Sequence, residues 1–254
     1  MDNQEKLQKP KTLIDGHNDA IDIDALSAEI FKIIKVDGFV HIKQPLSQTS
    51  YEALVHRLGT IELRTDIVVD AKLKQLQQMS RNYKINRPGV YQAASLAFHT
   101  DRPTCDVLGW YCVEQDEVDG ASLLLDTRDI GDYFTLAELS VLSGVNVSRM
   151  IRNPSTNEEE VVYEPLISKN NATYRVFYVP WNLSILCNRE QTALLEKFSE
   201  YVVHKQRRQL IKIRLAAKEC LFINNHRMLH SRGKLPENSR RHLIRYYISS
   251  GLIS

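Results

Sequence analysis

Three residues that could hold a metal ion together lie far apart in this chain. His99-Thr100-Asp101 sits near the middle, and His230 follows 131 residues later in Asn224-Asn225-His226-Arg227-Met228-Leu229-His230-Ser231-Arg232. Two imidazoles and one carboxylate can cap one face of an iron(II) ion and leave three positions open for other ligands. In an extended chain, residues i and i+2 point to the same side, so His99 and Asp101 can reach one ion while Thr100 faces away. Residues 95–98 read as the strand that carries the pair. A His beside an Asp also occurs as a hydrogen-bonded structural pair, and His226 competes with His230 for the third position, so the downstream segment has to decide.

That segment continues as Ser239-Arg240-Arg241-His242-Leu243-Ile244-Arg245-Tyr246-Tyr247, rich in aromatic and branched residues, and reads as a strand over 239–249. Alternation puts Arg241, Leu243, Arg245 and Tyr247 on one face, and Arg240, His242, Ile244 and Tyr246 on the other. Arg241 and Arg245 are then roughly 13 Å apart along the strand. A five-carbon dicarboxylate lying against a metal could place its far carboxylate on one and its near end by the other. Arginine suits this task because its planar fork grips a carboxylate through two hydrogen bonds. The competing reading is a basic, solvated edge strand.

Taken together, these residues resemble the taurine dioxygenase and clavaminate synthase-like family of Fe(II)/2-oxoglutarate-dependent oxygenases, from about residue 20 to the C-terminus. The resemblance implies that His99, Asp101 and His230 bind iron. Arg241, eleven residues past His230, matches the arginine that binds the far carboxylate of 2-oxoglutarate. Arg245, fifteen past it, matches one near the metal end that can touch an anionic substrate. The spacing of both arginines to His230 favours it over His226. Ser122, in Asp119-Gly120-Ala121-Ser122, is the counterpart of a Thr or Ser that helps hold the far carboxylate. Here the chain departs from the family, which usually has Gly-Gly-x-Thr.

The implied activity consumes O2 and 2-oxoglutarate, releases succinate and CO2, and oxidises a C–H bond of a small-molecule substrate. Hydroxylation is the default outcome; desaturation, epoxidation and ring closure occur on the same scaffold, and fold alone does not choose among them. Radical halogenases of this class have Gly or Ala where this chain has Asp101, so chlorination is not expected. A different class of reading is a non-catalytic jelly-roll module that binds a ligand. The substrate pocket is expected to involve a lid at 81–92, broken by Pro88-Gly89, with Tyr83, Asn86, Tyr91 and Gln92 as lining candidates. Arg245 could grip a substrate carboxylate, and Glu62 and Asp66 could meet an ammonium if their segment folds over the site. Both charges together would suit an amino acid or an amino-acid-derived metabolite. The bland alternatives are that Arg245 serves only 2-oxoglutarate and that both acids are solvated.

The elements that must position these residues read as mainly β with flanking helices, an α+β chain with a double-stranded β-helix (jelly-roll) core. Apolar spacing predicts helices over 23–35, 47–58, 135–143 and 190–205. Strands are expected at 39–43, 161–166, 172–179, 211–215 and 219–223. Residues 107–113 and 121–126 read as a hairpin around the acidic turn at 114–119. Residues 1–20 are expected to be a flexible lead without a signal-like apolar stretch, and 21–254 one oxygenase domain with a helical insert between the metal-binding segments.

With 254 residues, 43% hydrophobic content and a formal charge of +2, the chain falls among ordinary globular proteins. That balance argues against nucleic acid as a partner. No apolar run approaches the length of a membrane span. Cys105, Cys112, Cys187 and Cys220 show no paired spacing, and a reducing cytoplasm is the expected compartment. His17, His41, His56, His204 and His242 carry no supporting neighbours and are expected at the surface or in packing.

Overall fold

The computed structural model describes residues 12–13, 21–68, 95–152, 159–170, 173–183, 187–236 and 238–251. After a two-residue strand β1 (Thr12–Leu13), helix α1 (Ile23–Asp37) begins where the Asp22 side chain accepts the amides of Asp24 and Ala25. It ends at Gly38, whose φ of +83° lets its N–H return to the Ile34 carbonyl. A Cβ at Gly38 would sit 2.7 Å from Met228 Sδ, so this turn also lets the chain pass close to the strand that carries His230. Strand β2 (Phe39–Ile42) follows, then helix α2 (Gln48–Leu58), N-capped by Ser47.

Two antiparallel layers carry the site. The larger sheet has the order β1-β2-β11-β4-β13-β3, built from β3 (Thr60–Val68), β4 (Val107–Glu114), β11 (Cys220–Asn224) and β13 (His242–Ser249) beside the first two strands. The smaller has the order β10-β5-β12, with β5 (Ser122–Asp126), β10 (Ile211–Ile213) and β12 (Met228–Arg232). The ribbons β6 (Asn146–Arg152) with β7 (Glu159–Pro165), and β8 (Ile167–Asn170) with β9 (Thr173–Val176), complete the strands described. All pairings are antiparallel except β1 with β2.

Alternation assigns the faces. Outward residues of the larger sheet (Val40, Ile42, Tyr111, Phe222, Ile244, Tyr246, Ile248) pack beneath Leu26, Ile30 and Ile34 of α1 and Tyr51, Leu54 and Leu58 of α2. Its inward residues, among them Leu108, Trp110, Leu221, Leu243 and Tyr247, meet Leu124, Ile213 and Met228 of the smaller sheet. The outer face of the smaller sheet, with Leu125 and Leu229, is covered by α3 (Ile130–Tyr133), α4 (Leu136–Ser143) and α5 (Arg189–Gln209) through Ile130, Phe134, Leu139, Phe198 and Tyr201. Fully burying each such Leu, Ile or Phe contributes about 1.5–3 kcal/mol.

Several expectations need correction. Residues 107–113 and 121–126 do not form a hairpin: β4 pairs with β11 and β13, and β5 pairs with β10 and β12. Each strand has its own pair of neighbours, so the acidic segment crosses from one sheet to the other. Asp116 holds that crossing by accepting the Arg240 amide at 2.8 Å and the Ser239 hydroxyl at 2.5 Å. Residues 95–98 form no ladder strand; one bridge, His99 to His230, joins the segment to the edge of β12. Ribbon strands β6 and β8 were absent from the sequence reading, while 172–179 contributes a strand only over Thr173–Val176. Helices α4 and α5 lie where the periodicity put them, each started by a capping box, from Thr135 and Asn188. Among the described residues, no helix is long and apolar enough to cross a membrane.

Candidate metal centre

His230 lies in the middle of β12, and pairing brings His99 beside it. Their backbones exchange hydrogen bonds, His99 N to His230 O at 3.0 Å and His230 N to His99 O at 2.8 Å. Leu96 N to Arg232 O, at 2.9 Å, and the Ser231 hydroxyl to Leu96 O, at 2.7 Å, extend that contact. Thr100 does turn away: its amide donates to Tyr178 O at 2.8 Å, and its hydroxyl accepts from Tyr178 N at 2.9 Å. With both polar groups of Thr100 engaged elsewhere, Asp101 falls on the His99 side. Asn225 Oδ1 accepts the Asp101 amide at 2.9 Å, and its Nδ2 donates to Arg102 O and Cys105 O, which sets the turn after the carboxylate.

One donor atom from each of His99, Asp101 and His230 lies within 4.8 Å of the others. His99 Nδ1 lies 2.8 Å from the Ala97 carbonyl, which can only accept, so Nδ1 carries the proton and Nε2 presents a lone pair to the cluster. Both ring nitrogens of His230 are buried without a hydrogen bond, and its Nε2 is 3.5 Å from Asp101 Oδ2. Leaving such nitrogens unbonded is costly unless another ligand satisfies one of them. Burial, and then the neighbouring His230, lower the His99 pKa from 6.5 to about 4. Burial raises the Asp101 carboxyl, but Arg245 and the two imidazoles outweigh it and hold it far below the usual carboxylate range. At neutral pH the cluster therefore offers a neutral His99 and a charged Asp101, the protonation states that ligate a divalent cation.

The cluster opens on a cavity between the inner faces of the two sheets. Arg245 Nη1 donates to Asp101 Oδ2 at 2.8 Å, and the guanidinium lies 4.6 Å over the Tyr247 ring, so it is held at the metal end. At the other end are Arg241 and Ser122. Arg241 is 6% exposed, its Nε has no hydrogen-bond partner, and burial, then the nearby Arg232 charge, lower its pKa to about 10. Gly120, at φ +87°, leaves room for it: a Cβ there would sit 3.0 Å from Arg241 Cδ. Arg240 points the opposite way and pairs with Glu114 at the surface, although both arginines precede β13, which begins at His242 rather than at 239.

Other residues singled out by the sequence lie elsewhere. His226 is bound to Asp106 at 2.9 Å, and Asp106 also accepts the Ser250 and Gly251 amides, so the pair anchors the end of β13. Glu62 accepts the Thr104 hydroxyl at 2.8 Å, and Asp66 bonds Arg64 and His242. Neither acid folds over the cavity: β3 is the edge strand beside β13, and its ladder keeps Asp66 outward. His41 is buried against Glu219 at 2.7 Å. Tyr83, Asn86, Tyr91, Gln92 and His17 lie outside the described residues.

Three neighbours of the site lie outside the residues singled out from the sequence. Trp110 packs edge-on against His230 at 5.4 Å, and Trp181 lies 5.1 Å from the His99 ring while 56% exposed. Trp110 is the cross-strand partner of Arg245, a register that no local signal reveals. Arg232 shares the face of His230 two residues earlier, and the alternation applied to Arg241 and Arg245 would have found it.

This arrangement, two histidines and an aspartate at the mouth of a β-sheet cavity lined with buried arginines, defines a non-haem metal oxygenase type of site. Residues 5–247 match the profile of the taurine catabolism dioxygenase TauD, TfdA family. The chain belongs to that family of Fe(II)/2-oxoglutarate-dependent oxygenases. No curated protein matches the sequence. Among solved structures, the chain is similar to asparagine oxygenase in complex with Fe(II), 3-hydroxyasparagine and succinate, at 13% identity and TM-score 0.65, over 88% of this chain and 79% of that one. It is also similar to the non-haem iron oxygenase OrfP with Fe and alpha-ketoglutaric acid, at 14% identity and TM-score 0.63, over 90% and 83%. A taurine dioxygenase from Burkholderia xenovorans shares 16% identity at TM-score 0.63, over 91% and 83%.

Proposed function

We propose that His99, Asp101 and His230 hold iron(II) and that the chain hydroxylates a C–H bond of a small molecule bearing a carboxylate, an amino acid or a close derivative. The observation that carries the metal assignment is the pair of unbonded, buried nitrogens on His230 beside the oriented Nε2 of His99 and the charged Asp101. Iron(II) with 2-oxoglutarate and O2 supplies the oxidising power: the oxo acid leaves as succinate and CO2, and one oxygen atom enters the substrate C–H bond. The chain's own residues bind, orient and exclude water. Arg241 and Ser122 hold the far carboxylate of 2-oxoglutarate, where burial makes a charge-assisted hydrogen bond strong. Trp110, Leu124 and Leu243 make the walls apolar, which would keep solvent away from a bound substrate.

Arg245 supports the substrate assignment. It braces Asp101 and lies at the metal end, where a substrate carboxylate can share its fork. Two of the similar structures contain amino acid products, 3-hydroxyasparagine in asparagine oxygenase and (3S)-hydroxy-L-Arg in OrfP. With Glu62 and Asp66 engaged elsewhere, an ammonium would need other partners. We read the two facing sheets as the halves of a jelly-roll, residues 21–254 as one domain, and the buried thiols Cys105, Cys112 and Cys220 as suited to a reducing cytoplasm. The test is succinate release measured across free amino acids, sulfonates and neutral scaffolds. Stimulation by amino acids supports the reading, and stimulation by neutral scaffolds alone removes the proposed role of Arg245.

A further inference from the structure

Trp181 presents a large apolar face to solvent at the metal centre. It is 56% exposed, yet its ring stands 5.1 Å from the ring of His99. Other large apolar side chains also reach solvent, among them Val118, Leu136 and Tyr163. What sets Trp181 apart from them is that it meets a residue of the metal centre. Its mounting is rigid. Pro180 opens the short 3-10 turn Pro180–Asn182 with a fixed φ, and the Asn182 amide closes it on Val179 O at 2.9 Å. The Ser148 hydroxyl donates to Asn182 O at 3.1 Å, and a bridge joins Leu183 to Val147 of β6. On the other side, two hydrogen bonds tie Tyr178 to Thr100, the neighbour of His99, and the Tyr178 ring packs 5.0 Å from Phe198. The indole is therefore held in place relative to the metal ligands and has little freedom left to lose on binding.

That place is distinct from the cavity assigned to the co-substrate. Trp110 lines the cavity and packs on His230, whereas Trp181 packs on the other histidine and is not among the described residues of the lining. His99 Nε2 lies 3.9 Å from Asp101 Oδ1, and Asp101 in turn accepts from Arg245. Trp181, His99, Asp101 and Arg245 thus run across the metal end, with an indole at one end of the row and a guanidinium at the other. Resting on the reading of an amino acid or a close derivative as substrate, we infer that Trp181 is a specificity residue: the substrate side chain lies on its indole face while the carboxylate is held at Arg245. The carbons between those two anchors then lie over the metal. An indole face favours side chains that can cover it, whether aliphatic, aromatic or guanidinium, because it takes both apolar area and a cation. Alanine or serine leaves that face wet and gains nothing from it.

The test is succinate release by the iron(II)-loaded full chain with 2-oxoglutarate and O2, titrated separately with each proteinogenic L-amino acid. An amino acid with a large side chain is expected to stimulate the parent above alanine and serine. Trp181→Ala should raise the KM for that amino acid about tenfold or more. Trp181→Phe, with a smaller face, should give a smaller rise, and it carries the test should the Ala variant not fold. The 2-oxoglutarate affinity of both variants, read anaerobically from the visible absorption of the bound 2-oxo acid, should match the parent. An unchanged amino acid KM in Trp181→Ala, or in the Phe variant when only that one folds, overturns the inference and leaves the amino acid reading standing. An equal loss of 2-oxoglutarate affinity also overturns it, since Trp181 would then be a packing support for His99. So does stimulation of the parent by small amino acids alone. If no amino acid stimulates the parent, the substrate reading itself fails and the inference falls with it.

Discussion

Replacing Arg245 with Met should destabilise the metal-free protein more than the iron-loaded one. In the metal-free chain, Asp101 Oδ2 accepts from Arg245 Nη1 at 2.8 Å, with the two side chains 14% and 8% exposed. Removing one partner of such a buried pair leaves a carboxylate desolvated and uncompensated, at a cost of about 3–5 kcal/mol. For a chain of this size that corresponds to a loss of roughly 6–15 °C in melting temperature. With iron bound, Asp101 has a dication as its partner, and a large part of that cost disappears. Binding to the folded state alone raises stability, so the iron-induced rise in melting temperature should be larger in Arg245→Met than in the parent. The assay is thermal unfolding of both proteins under anaerobic conditions, with iron(II) in excess or with chelator. Equal losses in the two states would refute the reasoning, because the carboxylate next to Arg245 would then not be the one that meets the metal.

Other consequences follow from the same geometry. His99 has its pKa lowered to about 4 in the fold against 6.5 when unfolded, so between those values the unfolded chain binds the extra proton. Stability of the chelator-treated protein should therefore rise with pH across that window, by up to about 3 kcal/mol, and His99→Asn should flatten the dependence seen in urea titrations at stepped pH. Arg241→Gln should raise the 2-oxoglutarate requirement steeply, through loss of about 2–5 kcal/mol of buried charge pairing. Arg240→Gln, with its side chain 79% exposed, should behave like the parent when KM is measured, because a surface pair is worth about 0–1 kcal/mol. The chain has two tryptophans, and both lie against the histidines of the cluster, so iron(II) should quench its intrinsic fluorescence. Trp181→Phe should retain only the buried component, and an emission indifferent to iron would count against the site.

Much of the centre was legible in the sequence because its signals are local. The i, i+2 spacing of His99 and Asp101, and the alternation of Arg241, Leu243, Arg245 and Tyr247, are written into neighbouring residues. Caps such as Ser47, Thr135 and Asn188 place helix starts for the same reason. What escaped is set by contacts distant in sequence. Strands β4 and β5 are adjacent in the chain and read as a hairpin, yet each pairs with strands more than eighty residues downstream, β11 and β13 for one and β10 and β12 for the other. Residues 95–98 look like a strand, but among the described residues they meet β12 through one bridge and a few hydrogen bonds rather than a ladder, and Phe98 packs into the core. Glu62 and Asp66 have the charge for an ammonium, and only the position of β3 at the sheet edge shows where they point. Trp181 reaches His99 because Thr100 clamps Tyr178, a tertiary contact with no sequence signature.

The measurement that tests the account most directly is the visible spectrum of the anaerobic protein after iron(II) and then 2-oxoglutarate are added. A 2-oxo acid chelating iron through its keto oxygen and adjacent carboxylate gives a weak charge-transfer absorption that neither component shows alone. The parent chain should develop this band, and His99→Ala, Asp101→Ala and His230→Ala, each shown to be folded by circular dichroism, should not. A band of full intensity in all three variants, or none in the parent, would contradict the assignment of these residues as the iron site.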